Sequence, residues 1–249
     1  MTSAAVDPRP VLQDTRNAQM KRPVIRQLFT SIAPRYDWFN RLASCGLDQR
    51  WRRQALELGG VAPGQRVLDV CTGTGDLALL CAARLGGQGS VTGIDFTREM
   101  LNQAERKGRR RGARITWCQG DAEALPFTDG SFDRVVIGFS TRNLTDLTTG
   151  LGELVRVLRP GGVLIVLETG YPANPLLRAG YRLFLLTFAR AIGLILTGRL
   201  WPFTYLARSV QQFLTPQEMV ERLQSLKTQV QYVPLSCGLA SVYVATKRS

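Results

Sequence analysis

Asp69-Val70-Cys71-Thr72-Gly73-Thr74-Gly75-Asp76 (DVCTGTGD) lies where an apolar run ends and a helical pattern begins. With the next residues, Gly73–Ala78 fits G-x-G-x-x-G/A, a pattern nominally read as a dinucleotide loop. Such a loop joins a first strand to a first helix, and glycine lets the backbone approach a ligand closely. A tight strand-to-helix turn with no ligand has the same pattern, so the glycines alone do not choose.

Working outward, the chain alternates. Arg66–Val70 reads as a buried strand, Asp76–Arg84 as a helix, Val91–Ile94 as a strand and Thr97–Lys107 as a helix. Strands follow at Ile115–Cys118 and Asp133–Ile137, then a helix at Asp146–Leu158, a Pro160-Gly161-Gly162 turn and a strand at Val163–Leu167. Strands alternating with helices predict βαβ units, hence an α/β fold with a parallel sheet and helices on both faces. A long apolar helix over 174–197, a helix at Pro216–Leu226 and strands at Gln229–Pro234 and Ser241–Ala245 follow. Two late strands suit a Rossmann-like, seven-stranded methyltransferase sheet better than a dinucleotide fold. Upstream, two apolar-periodic stretches within 21–58 predict helices broken near Pro34 and Gly46. The expected organisation is a flexible lead over 1–20 and one domain over 21–249, with a helical cover at 21–60 and a helical insertion at 170–215.

Composition narrows the chemistry. The 249 residues contain no histidine, which removes the commonest general base and the commonest zinc ligand; no metal is expected. Five cysteines, at 45, 71, 81, 118 and 237, form no CxxC pair and read as reduced thiols, mostly in the core. The polar N-terminus lacks a signal-peptide core, and no stretch reads as both long and uncharged enough to span a bilayer, so a cytoplasmic location is expected. The net charge of +13 is carried almost wholly by arginine. It fits an anionic partner or a solvated surface equally well. The basic run 105–114 reads as a helix end and its loop.

Three carboxylates identify the ligand class. Asp69, at the end of the first strand, can receive the cationic amino group of a methionine moiety, or cap the loop. Asp95, about twenty residues beyond the loop, can take both ribose hydroxyls of a nucleoside. In GDAEALPF (120–127), Asp121 can bond an adenine amino group while Ala122 makes room for the ring. A pyrophosphate cofactor needs nothing of this form, which favours S-adenosylmethionine, held by Asp69, Gly73, Thr74, Gly75, Asp95, Asp121 and Ala122.

VLDVCTGTGD, GIDFT, GDAEALPF and LVRVLRPGG together resemble a class I S-adenosylmethionine-dependent methyltransferase. FTSIAPRYDWFNRLASCGLDQRWRR resembles the signature of the UbiE/MenG-type quinone C-methyltransferases, as do STRNLTD (140–146) and FTYLARSVQQF (203–213). The likeness covers about residues 21–247. LETGYP departs from that family's Leu-Glu-Phe-Ser/Thr-x-Pro run, STRN from its GLRN, and Gly138, which the resemblance implies is a further cofactor-binding residue, stands where some members have a serine near the cofactor. These changes fall at the mouth of the site.

The resemblance implies methylation of a ring carbon of a prenylated demethylquinol, demethylmenaquinol being preferred over demethylphylloquinol or a ubiquinone-pathway benzoquinol. The catalytic candidates are Arg142, to stabilise phenolate character, Asn143, to orient a hydroxyl or water, and Tyr36 and Asp37 from the cover. The ring proton is expected to leave to water, helped by Asp37 or Asp121. In PLLRAGYRLFLLTFARAIGLILTG, Arg178, Arg182 and Arg190 fall within an arc of about 120°. That segment reads either as a core helix or as one lining a prenyl groove or resting on a membrane. Transient contact with the inner membrane face is expected, nucleic acid is not, and a homodimer or quinone-biosynthesis complex is open. RNA methylation, another small-molecule methyltransferase and a dinucleotide oxidoreductase are the rivals; FSTRN lacks the Asn/Asp-Pro-Pro-aromatic run common in base-amino methyltransferases.

Overall fold

Val67, Leu68 and Val70 of β1 (Arg66–Val70) are fully buried, as a strand covered on both faces requires. In the computed structural model, which describes Pro8, residues 18–170 and residues 172–248, β1 lies at the centre of a seven-stranded sheet. The other strands are β2 (Ser90–Asp95), β3 (Thr116–Gln119), β4 (Phe132–Gly138), β5 (Leu158–Thr169), β6 (Thr228–Leu235) and β7 (Ala240–Lys247). Their order is β3-β2-β1-β4-β5-β7-β6. The first five strands run parallel; β7 is antiparallel to both β5 and β6.

The helices cover both faces. One core layer packs Trp51, Ala55 and Leu56 of α3 (Leu47–Leu58) and Leu77, Ala78 and Cys81 of α4 (Asp76–Leu85) against the sheet. The other packs Leu151 and Leu154 of α6 (Leu147–Arg156) with Met219 and Leu223 of α9 (Pro216–Ser225). Thr215 and Glu218 form a reciprocal capping box at the start of α9. α5 (Arg98–Arg110) carries the basic run to its end, where cations complement the helix dipole.

A third apolar cluster holds the cover in place. Val24, Ile25, Leu28 and Ile32 of α1 (Ala18–Ile32) and Phe39 of α2 (Tyr36–Ala43) pack with Met100 of α5 and with Phe203 and Tyr205 of α8 (Trp201–Gln211). The chain breaks at Pro34 in a 3-10 turn and at Gly46, whose φ is +77°. The expected lead over 1–20 lies outside the described residues, except Pro8 and the first residues of α1.

Two readings need correction. The Pro160-Gly161-Gly162 turn is not a boundary. The β4–β5 ladder already pairs Phe132 with Leu158, and residues 159–162 loop out opposite Asp133 before Arg134 pairs with Val163. Of the cysteines, Cys81 is buried in the core, Cys71 and Cys118 are partly buried and pack against it, and Cys45 and Cys237 are exposed. The apolar segment forms a continuous helix, α7 (Pro175–Thr197), which is long and apolar enough by length and composition to cross a membrane. Only 11% of its most apolar window is buried, so it is no core helix.

Candidate active site

β1 and β4 are neighbours whose connections depart to opposite sides, and ligands of open α/β sheets bind at the carboxyl edge of such a switch point. Two non-glycine residues there, Cys71 after β1 and Phe139 after β4, have left-handed φ values of +53° and +58°. Backbone strain of this kind gathers at functional sites. A first cavity opens at these strand ends, and Gly73, Thr74, Asp95, Asp121, Ala122 and Gly138 all line it.

Asp95 accepts the Gly73 N–H and the Thr97 N–H, each at 2.8 Å. Burial nevertheless pushes its carboxyl up to about 6. Asp121 meets Arg22 of α1 at 2.6 Å, and Arg22 also reaches Glu123. The cover thereby closes over the end of the cavity where Ala122 leaves room.

Two of the proposed ligand residues lie elsewhere. Asp69 does not line the cavity; it sits beneath the loop, accepting the Thr72 hydroxyl at 2.6 Å. Burial pushes its carboxyl up to about 7, against hydrogen bonds from Thr72 and the Ala78 backbone. The geometry supports loop capping rather than a contact to a methionine amino group. Gly75 is also outside the lining: with φ +83° it opens α4, and a Cβ there would come within 2.8 Å of the Trp117 ring. Its bareness serves the packing of α4 against Trp117 and Ala104.

A second cavity of about 370 Å³ lies beyond the first, between α2, α3, α7 and α8. Its walls are mostly apolar, with Phe39, Trp51, Phe139, Phe184 and Phe203 among them. Tyr36 and Arg52 line both cavities and so mark their junction. Burial raises the Tyr36 phenol above its ordinary value. Asn143 faces the first cavity, accepts the Tyr205 hydroxyl at 3.2 Å, and has a buried Nδ2 with no partner.

Arg142 faces the second cavity, on the 3-10 turn Thr141–Asn143 that follows β4. Its Nη1 donates to the Phe139 carbonyl at 2.7 Å and to the Glu168 carboxylate. Burial opposes the Arg142 charge, but Glu168 outweighs it and the guanidinium pKa is raised. Glu168, at the end of β5 and almost fully buried, also accepts the Thr141 hydroxyl at 2.7 Å. The sequence signal for this residue was a carboxylate ending an unbroken apolar strand.

Asp37 lines neither cavity. Lys107 donates to Asp37 at 2.8 Å and also to Asp76, and the Thr74 hydroxyl donates to Asp37 at 2.5 Å. Asp37 therefore ties the cover to the glycine loop. It is not placed to take a ring proton, and Asp121, held by Arg22 and facing the first cavity, is not beside the acceptor cavity either.

A switch-point pocket on a β3-β2-β1-β4-β5 parallel sheet closed by an antiparallel β7-β6 pair defines the Rossmann-like methyltransferase class. Solved structures share that fold. A SAM-dependent methyltransferase from Aquifex aeolicus matches with a TM-score of 0.59 at 20% identity, covering 78% of this chain and 88% of that one. One from Thermotoga maritima matches at 0.63 and 18%, covering 89% and 99%.

The sequence profile of the ubiE/COQ5 methyltransferase family matches residues 14–247, and the chain belongs to that family. It is 41% identical over 220 residues to a demethylmenaquinone methyltransferase of Thermus thermophilus, covering 88% of this chain and all of the relative. A ubiquinone/menaquinone biosynthesis C-methyltransferase UbiE of Geobacter sp. is 42% identical over 230 residues, covering 90% and 96%. The protein is a methyltransferase.

Proposed function

We propose that the protein transfers the methyl group of S-adenosylmethionine to a ring carbon of a prenylated demethylquinol, demethylmenaquinol foremost. The observation that carries this reading is the junction at Tyr36 and Arg52 between a polar, nucleoside-type cavity and an apolar one with a buried cation in its wall. The residues fit the donor. Asp95 offers a ribose acceptor, Ala122 and Gly138 leave space, and the orphaned Asn143 Nδ2 offers an unfilled donor. The names of the relatives support the quinol assignment.

S-adenosylmethionine supplies an electrophilic methyl on a sulfonium. The protein's part is to make the acceptor carbon nucleophilic. A fixed guanidinium at Arg142 favours phenolate character in a hydroxyl next to that carbon, and in a desolvated wall such a charge acts strongly. Tyr36 at the junction and Asn143 in the first cavity hold the two reactants in line, and the cover excludes water. The phenol proton and the later ring proton leave to water.

Membrane contact is part of the proposal. Leu177, Tyr181, Phe184 and Leu185 of α7 line the apolar cavity, while Leu176 and Ile195, each 82% exposed, lie outside it. An exposed apolar face beside arginines in a chain of net charge +13 suits the anionic cytoplasmic side of a bilayer. From there a polyprenyl tail reaches the cavity directly.

Calorimetry with S-adenosylhomocysteine and NAD tests the donor half: binding of the first alone is expected, and binding of NAD alone would refute it. Mass spectrometry of products from short-chain naphthoquinol and benzoquinol tests the acceptor half. Preference for the naphthoquinol is expected; methyl found on oxygen rather than carbon would refute C-methylation.

A further inference from the structure

We propose that Arg52 binds the α-carboxylate of the donor's amino-acid moiety, a role that rests on the donor reading above. Arg52 lies on α3, is 7% exposed and faces both cavities. Its Nε is buried with no hydrogen-bond partner. Among the described residues its ion-pair partner is Asp48, whose Oδ2 stands 3.7 Å from Nε, too far for a hydrogen bond, while Asp69 and Asp76 feel its charge without an ion pair. The guanidinium stacks instead over the Phe139 ring, with its carbon 5.0 Å from the centroid.

The other cations around the first cavity are already engaged. Arg22 is held by Asp121 and Glu123, Lys107 by Asp37 and Asp76, and Arg142 by Glu168. Among the described cations Arg52 combines burial, an orphaned N–H and a place in the first cavity; Arg142, whose Nε is also orphaned, lies outside that lining, and Asn143 offers a neutral amide. A guanidinium so buried calls for an anion with bidentate geometry, and a carboxylate supplies it.

Its place along the cavity selects which anion. Asp121 and Ala122 mark the base end and Asp95 the ribose. The rest of the lining beyond the ribose includes the glycine loop with Asp76, then Gly138, Ser140, Asn143, Tyr36 and Arg52, of which Arg52 is the cation. A Cβ at position 138 would stand 3.3 Å from Arg52 Nη1, so the bare glycine keeps that nitrogen open to the cavity. The amino-acid portion of the donor falls here, at the junction, with its reactive carbon toward the acceptor cavity. Arg52 then sets how far the methyl reaches across that junction.

The test compares S-adenosylmethionine with its decarboxylated analogue, by calorimetry, on the full-length protein and its Arg52→Gln and Arg52→Lys variants. Arg52→Gln is expected to weaken S-adenosylmethionine on the order of 10- to 100-fold, the range for a charge-assisted hydrogen bond. The decarboxylated analogue should be bound about equally by wild type and variant, and Arg52→Lys should restore part of the loss. Equal weakening of both ligands would assign Arg52 to packing alone and overturn the proposal, as would no weakening of either. Wild-type protein that binds neither ligand would instead overturn the donor reading.

Discussion

Arg142 and Glu168 are each more than nine-tenths buried and face one another, so each compensates a charge that would otherwise be stranded. Arg142→Ala is expected to lower turnover by about 100-fold or more, in the range seen when a charge-stabilising donor is lost. Donor affinity should change little, because Arg142 lies outside the first cavity; equal losses of turnover and donor binding would contradict the assignment. Glu168→Gln should cost stability as well, about 3–5 kcal/mol for an ion pair broken on one side, read by urea denaturation. Asp95 gives a pH signature. Its folded pKa of about 6 lies above the ordinary carboxylate value, so the native state holds a proton that the unfolded chain releases. Its stabilising contribution is therefore complete below about pH 4 and lost as pH rises through 6. Ribose hydroxyls favour the charged form, so S-adenosylhomocysteine affinity should rise from pH 5 to 7 with an inflection near 6, and Asp95→Asn should flatten it. At this scale the sequence was partly legible. Asp95, Asp121 and Arg142 fall where strand ends and loop spacing put them. Asp69, Gly75 and Asp37 lie outside both cavity linings, because a motif gives a position along the chain, not which way a side chain points.

α7 shows what periodicity does and does not carry. The helix was legible from its spacing, but a hydrophobic stripe does not say what covers it. Here one side lines the apolar cavity and another is bare. Leu183→Glu with Ile195→Glu is expected to abolish sedimentation with vesicles containing phosphatidylglycerol while leaving S-adenosylhomocysteine affinity unchanged. Unaltered sedimentation, or a dimer that the variant dissolves, would assign the face to another occupant. The seating of α7 on α8 depends on Gly193, where a Cβ would stand 2.1 Å from the Phe203 ring. Gly193→Ala should destabilise the protein by about 1–3 kcal/mol through overpacking, seen as a lower urea midpoint; an unchanged midpoint would mean that the contact yields freely. The looped-out residues 159–162 were read as a turn because Pro-Gly-Gly has the same composition in a bulge as in a strand boundary.

For the whole molecule, strand and helix alternation was enough to establish the layers, and the two late strands enough to complete the sheet. The cover was less legible. Its attachments cross the chain: Asp37 to Lys107 and Thr74, Arg22 to Asp121, Phe39 to Phe203. Pairings over such distances leave no local pattern. Together they place an apolar chamber against a nucleoside pocket with one buried arginine at the junction and another in the chamber wall. Under the proposed function, that arrangement makes a carbon nucleophile only from an acceptor that carries a ring hydroxyl. The most direct measurement is transfer of labelled methyl from S-adenosylmethionine to a short-chain demethylnaphthoquinol, beside the same compound as oxidised quinone. Label in the ring of the reduced form alone is the predicted result. Equal transfer to the quinone, or none to the quinol by protein that binds the donor, would contradict the account.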